Sequence, residues 1–385
     1  MIEKGPEERY SNSMNEYGYS EEPYNSESYK ELMNKRQKAN SIVLKTDKVW
    51  LTYVLISINV VVWLFIKLYA NYKGVFEGSL LTVFGAKDNT LIMSGQYWRF
   101  LTPVFLHNDI THLLVNSYSL YILGTTVEKL IGRPRFLFTY IIAGITGSIM
   151  SFMFSTYRAV GASGAIFGLL GVLIYYGIEN PELFRRGFGR SILITITINL
   201  VYGFSVTGID NFGHIGGLIG GFLAAGVVGI TDFFKRLKLR VAFILITLVV
   251  VVLSLYYGFN NSQNRLMLQV DMMERMIEQQ KWEEVERIGE EIIKSGTKDE
   301  FILSNSLWYL SISEISQDKS DEAIEHASAL VEVDPPNGHY LLGRLYIYAG
   351  EVELARKHLK EAVKIEPKLR SEVEEILDLL ETNEN

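Results

Sequence analysis

At 385 residues the chain is long enough for more than one folding unit, and its 48% hydrophobic content and mean hydropathy of +0.13 average three unlike regions. The net charge of −7 is unevenly held: residues 265–385 carry 14 Lys/Arg against 27 Asp/Glu, a net −13, which leaves +6 for the remainder. So acidic a C-terminal part argues against nucleic acid as a partner, and a chain without cysteine forms neither a disulfide nor a Cys-based metal site.

Residues 1–48 are polar, rich in Tyr, Glu, Ser and Asn, and carry no apolar periodicity. They read as a flexible cytoplasmic tail. The first apolar run starts near Trp50, after that long polar stretch, and so reads as a membrane anchor rather than a cleaved signal peptide. A span takes roughly 20 apolar residues. Candidate runs fall at 50–69, 103–126, 136–154, 160–178, 191–206, 212–230 and 241–259, the fifth being short and Thr-rich. The connection over 70–102 is long, contains Trp98 and Arg99, and fits either a partly inserted amphipathic segment or an ordinary interfacial Trp.

Loop charge sets the orientation. Lys35, Arg36, Lys38, Lys45 and Lys48 precede the first run, and Lys129, Arg133 and Arg135 separate the second and third. Arg185, Arg186 and Arg190 follow the fourth, and Lys235, Arg236, Lys238 and Arg240 precede the seventh. The alternate loops hold one arginine, Arg158, between the third and fourth runs, and none between the fifth and sixth. By the positive-inside rule the N-terminus is cytoplasmic and the C-terminal region extracellular. The expected product is a multi-pass protein of the cell membrane.

Ionisable residues inside spans are costly and mark function by default. His112 and Asn116, four apart, share one face of the second span. Ser163 opens the fourth span and His214 the sixth. These three spans all run from outside to inside, so the four residues share one depth near the outer surface. Gly164 and Gly168 on the fourth span, with Gly213, Gly217 and Gly221 on the sixth, give GxxxG spacing that allows close backbone approach. A serine needs a base at about 2.6–3.2 Å to become a nucleophile, and neutral histidine suits that task near pH 7. His112, Asn116 and the Ser163 N–H are donors of the kind an oxyanion needs. A third, orienting carboxylate is not evident: Asp210 and Asp109 precede His214 and His112 in loops, where turn roles are more common. A Ser-His dyad is the expectation. The G-x-S-x-G elbow of soluble hydrolases needs a strand-turn-helix setting, which this hydrophobic helix does not supply.

These residues resemble those of the rhomboid intramembrane serine proteases. The matching pieces are Trp98-Arg99, His107 with "HLLVN" (112–116), "GTTVEKLIG" (124–132), "GASGAIFG" (161–168) and "GHIGGLIGG" (213–221), covering roughly 50–230. The resemblance implies Ser163 as nucleophile, His214 as general base and acid, and His112, Asn116 and the Ser163 N–H as the oxyanion site. It also implies structural roles for Trp98, Arg99 and Glu128, and motif roles for His107, Gly161, Gly164 and Gly217. Phe167 falls where the family sets an aromatic ring against the catalytic histidine, and Gly213 stands where many members have alanine. The implied activity is cleavage of transmembrane segments of other membrane proteins, near their outer ends, in the lipid bilayer and without metal or cofactor.

Beyond Phe259 the pattern turns to amphipathic helices. "HYLLGRLYIYAGEVELARKHLKEAVKIEP" (339–367) has tetratricopeptide spacing at Leu342, Gly343, Tyr346, Gly350, Ala355, Ala362 and Pro367. Ala323 and Pro335 precede Ala355 and Pro367 by 32 residues each, which indicates an earlier, more degenerate unit, and a third is hinted at around Trp282. Such helix pairs stack into a concave surface for a protein partner or substrate. This addition resembles a bacterial rhomboid subgroup with outward-facing repeats. The expected fold is all-α: a tail over 1–48, a six-helix rhomboid-like membrane bundle over 49–232, a linker and seventh transmembrane helix over 233–262, and soluble tetratricopeptide-like repeats over 263–385. Two rival functions remain at this stage. One is a catalytically silent relative that binds membrane clients, which the retained Ser163 and His214 disfavour. The other is a transporter, which the clustering of polar residues at one surface disfavours.

Overall fold

The computed structural model describes residues 46, 48–186, 189–206, 208–229 and 236–383. The tail over 1–48, Thr46 and Lys48 apart, lies outside the described residues, and so does Lys235. The first apolar run forms α1 (Leu51–Lys73), stopped by Gly74 in the left-handed conformation. Two short helices follow in the long connection, α2 (Glu77–Val83) and α3 (Asn89–Met93), and then two 3-10 turns, Tyr97–Phe100 and Thr102–Phe105.

The second run enters its helix later than the apolar pattern over 103–126 implies. Pro103 sits in a 3-10 turn, and Pro103, Val104 and Leu106 are buried as loop packing. Asp109 then caps α4 (Ile110–Ile131), its carboxylate accepting the His112 N–H at 2.9 Å. Gly132 turns the chain directly into α5 (Arg133–Phe154), with Pro134 in the first turn, where a missing N–H leaves no bond unmade. The remaining runs give α6 (Ser163–Glu179), the short α7 (Pro181–Arg186), α8 (Gly189–Ser205), α9 (Asn211–Val228) and α10 (Leu237–Asn260). Among the described residues, α1, α5, α9 and α10 are long and apolar enough to cross a membrane. α6 and α8 have 17 residues each, and α4 carries His112, Asn116, Glu128 and Lys129. The chain is a multi-pass membrane protein.

Helix α9 is the centre of the bundle, packed against α5 and α6. Glycine makes that contact possible: a Cβ on Gly217 would lie 1.9 Å from the Gly164 carbonyl oxygen, and one on Gly221 2.1 Å from that of Gly168. Electrostatics ties the helix ends. The fully buried Glu128 carboxylate, near the end of α4, accepts the backbone N–H groups of Trp50, Leu51 and Thr52 at 2.9–3.2 Å and the Thr52 hydroxyl at 2.7 Å. These are the orphan donors of the first turn of α1, and the carboxylate meets the positive end of that helix. At the same end of the bundle the Arg133 guanidinium lies 5.7 Å from the Trp50 ring centroid. Arg236, before α10, pairs with Glu179 at the end of α6.

After Asn261 the chain forms α11 (Ser262–Glu278), α12 (Trp282–Lys294), α13 (Glu300–Ile315), α14 (Ser320–Val333), α15 (Pro335–Tyr348), α16 (Val352–Ile365) and α17 (Arg370–Asn383). The pairs α11/α12, α13/α14 and α15/α16 share one turn. Gln280, Asp318 and Gly350 all take a left-handed φ (56°, 60° and 78°), and the next residue in each case has φ near −91° and ψ near 66°. Ala323, Ala327, Ala355, Leu359 and Ala362 are fully buried within the repeats. The helical repeats dock back on the bundle through α11. Asn264, 1% exposed, donates to the Phe152 and Gly258 carbonyls at 2.9 and 2.8 Å and accepts the Asn89 amide at 2.6 Å.

Candidate active site

Three helix starts meet at the end of the bundle opposite Glu128. Ser163 is the first residue of α6, His112 the third of α4 and His214 the fourth of α9. Ser163 Oγ lies 2.9 Å from His214 Nε2, within hydrogen-bond distance. The imidazole of His214 stacks on the Phe167 ring with centroids 4.3 Å apart and planes 4° from parallel, so the ring has little room to rotate. Asp210 is the N-cap of α9: its Oδ1 accepts the Gly213 N–H at 2.9 Å, and its carbonyl accepts the His214 N–H at 3.1 Å. Among the described residues His214 Nδ1 has no hydrogen-bond partner.

Gly161 adopts φ +127°, a region in which side chains are strained. A Cβ there would also lie 2.7 Å from His112 Nε2. The Gly161 N–H donates to the Pro103 carbonyl at 2.9 Å, which fixes the strand of chain entering α6. As first residue of its helix, Ser163 has a backbone N–H without an intrahelical acceptor, at the positive end of the helix dipole. Asn116 is buried, and its amide donates to the His112 carbonyl of its own helix at 2.9 Å. His107 is buried with its ring 5.2 Å from that of His112.

The remaining motif residues hold the connection over 74–109. Arg99, 4% exposed, donates to the carbonyls of Thr82 and Ala86 and to Gln96 Oε1 at 2.7–2.8 Å. Trp98 is exposed, with its carbonyl accepting from Leu101 and Thr102. Lys87 carries no signal in the sequence, since an isolated lysine in a polar connection reads as solvated. In the fold it is fully buried. Its backbone pairs with Ala159 in both directions, and its Nζ donates to the Ser155 and Tyr157 carbonyls at 2.7 and 2.9 Å. Lys87, Pro103, Gly161, Ser163, Asp210 and Gly213 line a small cavity of about 40 Å³. Ala159, Val160 and Asp210 also line a cleft of about 640 Å³, with Asn108, Tyr157, Arg158 and Ile209. The cleft thus adjoins the small cavity at Ser163 through Ala159, Val160 and Asp210.

A membrane-embedded helical bundle with a serine and a histidine in contact near one end belongs to the class of intramembrane helical proteins with hydrolase-like sites. The comparison with known proteins gives the family. Residues 94–231 match the rhomboid domain, and residues 336–369 match a tetratricopeptide repeat. Rhomboid protease GluP of Bacillus subtilis is 38% identical over 318 residues, covering 81% of this chain and 60% of that protein. The putative rhomboid protease YdcA of the same organism is 35% identical over 45% of this chain and 84% of its own length. Rhomboid protease AarA of Providencia stuartii is 29% identical over 57% of this chain and 86% of its own. The chain belongs to the rhomboid family.

Proposed function

We propose that this protein is an intramembrane serine endopeptidase that cleaves transmembrane segments of other membrane proteins near the outer face, with its C-terminal repeats recruiting substrates or partners. The observation that carries the reading is the 2.9 Å contact between Ser163 Oγ and His214 Nε2. His214 Nε2 takes the hydroxyl proton as Ser163 Oγ attacks the scissile carbonyl. The negative charge that develops on the carbonyl oxygen is met by the Ser163 N–H and the side chains of His112 and Asn116. His214 then returns the proton to the departing amine, and water repeats the sequence on the acyl-enzyme. The Phe167 stack keeps the imidazole in plane through both transfers.

The reading also draws support from relatives named as rhomboid proteases. The test is cleavage of a transmembrane substrate in proteoliposomes. Ser163→Ala or His214→Ala is expected to reduce turnover by about 10³-fold or more while the protein still inserts. A fluorophosphonate probe should label the wild type at Ser163. Full activity in either variant overturns the mechanism, and a folded wild type that takes no probe favours a silent client-binding relative.

A further inference from the structure

A second cleft, of about 750 Å³, lies between the connection over 74–109, the 155–162 loop and the first repeat helices. Tyr157 and Arg158 line both this cleft and the one that adjoins the small cavity at Ser163, so the two spaces share a wall. Its far side is built by Met267, Val270 and Glu274 of α11 and by Glu300, Phe301 and Tyr309 of α13. The cleft is a fixed feature, because α11 is held to the bundle by the buried Asn89–Asn264 contact and by Asn261, which donates to the Met153 carbonyl at 2.9 Å. Two aromatic rings face the space from opposite sides, Tyr157 at 83% exposed and Phe301 at 59%.

Resting on the proteolytic reading, we infer that this cleft receives the segment of the substrate that leaves the membrane next to the scissile bond, and that it selects a basic segment. A chain bound across Ser163 has this cleft as its neighbour, with Tyr157 and Arg158 at the passage. Basic chemistry follows from charge complementarity: Asp88, Asp271, Glu274, Asp299 and Glu300 line the cleft against two cations, Arg158 and Lys298. Asp88 and Asp299 are committed as helix caps and Asp271 pairs with Arg275, so Glu274 and Glu300, both exposed, are the carboxylates turned to a ligand. The aromatic rings suit the stems and cations of Lys and Arg.

The test uses the full-length protein in proteoliposomes and two substrates that share one transmembrane segment and differ in a basic or an acidic outer segment. The wild type is expected to favour the basic substrate in kcat/KM by about tenfold at low salt, the preference fading as salt is raised. Glu274→Lys/Glu300→Lys should abolish or invert that ratio. An equal ratio in the wild type, or one unchanged in the double variant, overturns the proposal. A binding arm does not depend on cleavage. Because the chain has no cysteine, Lys298→Cys, at an exposed position lining the cleft, in a Ser163→Ala background should form a disulfide, under a mild oxidant such as copper–phenanthroline, with a cysteine in the basic segment, well above the level given by an exposed Lys360→Cys control. Crosslinking no stronger than the control also overturns it. Failure of the wild type to cut either substrate, with specific crosslinking retained, counts against the proteolytic reading and leaves the cleft assignment standing.

Discussion

Burial pushes the Lys87 ammonium down to about 8, against the opposing pull of Asp210 and Asp88. A buried lysine persists in such a place because its three N–H donors have work to do, and two of them hold the Ser155 and Tyr157 carbonyls. Those carbonyls belong to the loop that delivers Gly161 and Ser163. Lys87→Met leaves the Tyr157 carbonyl unbonded, at about 1–3 kcal/mol, leaves the Ser155 carbonyl with only the Asn89 amide at 3.1 Å, and is expected to slow fluorophosphonate labelling of Ser163 by about tenfold. Lys87→Arg should recover part of the rate; unchanged labelling in Lys87→Met would show that the loop holds without it. At this scale the serine and histidine were legible because polar residues at one depth in three spans stand out against lipid. Lys87 was not, since nothing in a single lysine of a polar connection tells that it folds inward. Glu128 was legible only through the family resemblance, because a glutamate at a span end reads as interfacial until the first turn of α1 is seen against it.

Among elements, each of the seven apolar runs falls on a helix among the described residues, and the largest misjudgement was the start of α4. Apolar residues at 103–106 extend the hydrophobic run, but Pro103 and the Asp109 cap delay the helix to Ile110. The repeats show the opposite case. One tetratricopeptide unit was plain in sequence, and the earlier ones were faint because their turns use Gln280 and Asp318 where the last uses Gly350. The backbone conformation repeats although the residue type does not. Within these repeats His326 Nδ1 lies 2.9 Å from the buried Glu314 carboxylate, which raises the histidine above its ordinary range. A raised folded pKa means that the stabilisation is fully present below about pH 6.5, the unfolded value, and is lost as pH climbs through the folded one. Hydrogen exchange in α13 and α14 should therefore be slower at pH 6 than at pH 8, beyond the intrinsic change in exchange chemistry, and His326→Gln should remove the difference. An equal pH response in the variant would place the effect elsewhere.

At the scale of the whole molecule, the helix ends sort into two sets. Glu128 joins the end of α4 to the start of α1, Arg133 covers Trp50, and Arg236 meets Glu179, so these cationic loop residues gather at one end. Ser163, His112 and His214 lie at the other, and so does the repeat region, because Asn261 and Asn264 bond to Met153 and Phe152 at the far end of α5. Positive loops stay inside, so the proposed reading expects Ser163, His214 and the repeats on the outer side together. A chain without cysteine allows a clean test. Single Ser94→Cys and Lys298→Cys substitutions, both at exposed positions, are expected to react with an impermeant maleimide in intact cells. Lys129→Cys and Arg190→Cys, also at exposed positions, should react only after permeabilisation. The reversed pattern would put the dyad on the cytoplasmic side and overturn cleavage at the outer face. A split pattern, with Ser94→Cys protected and Lys298→Cys labelled, would separate the repeats from the Ser163 end, and the shared cleft could not then exist in the membrane.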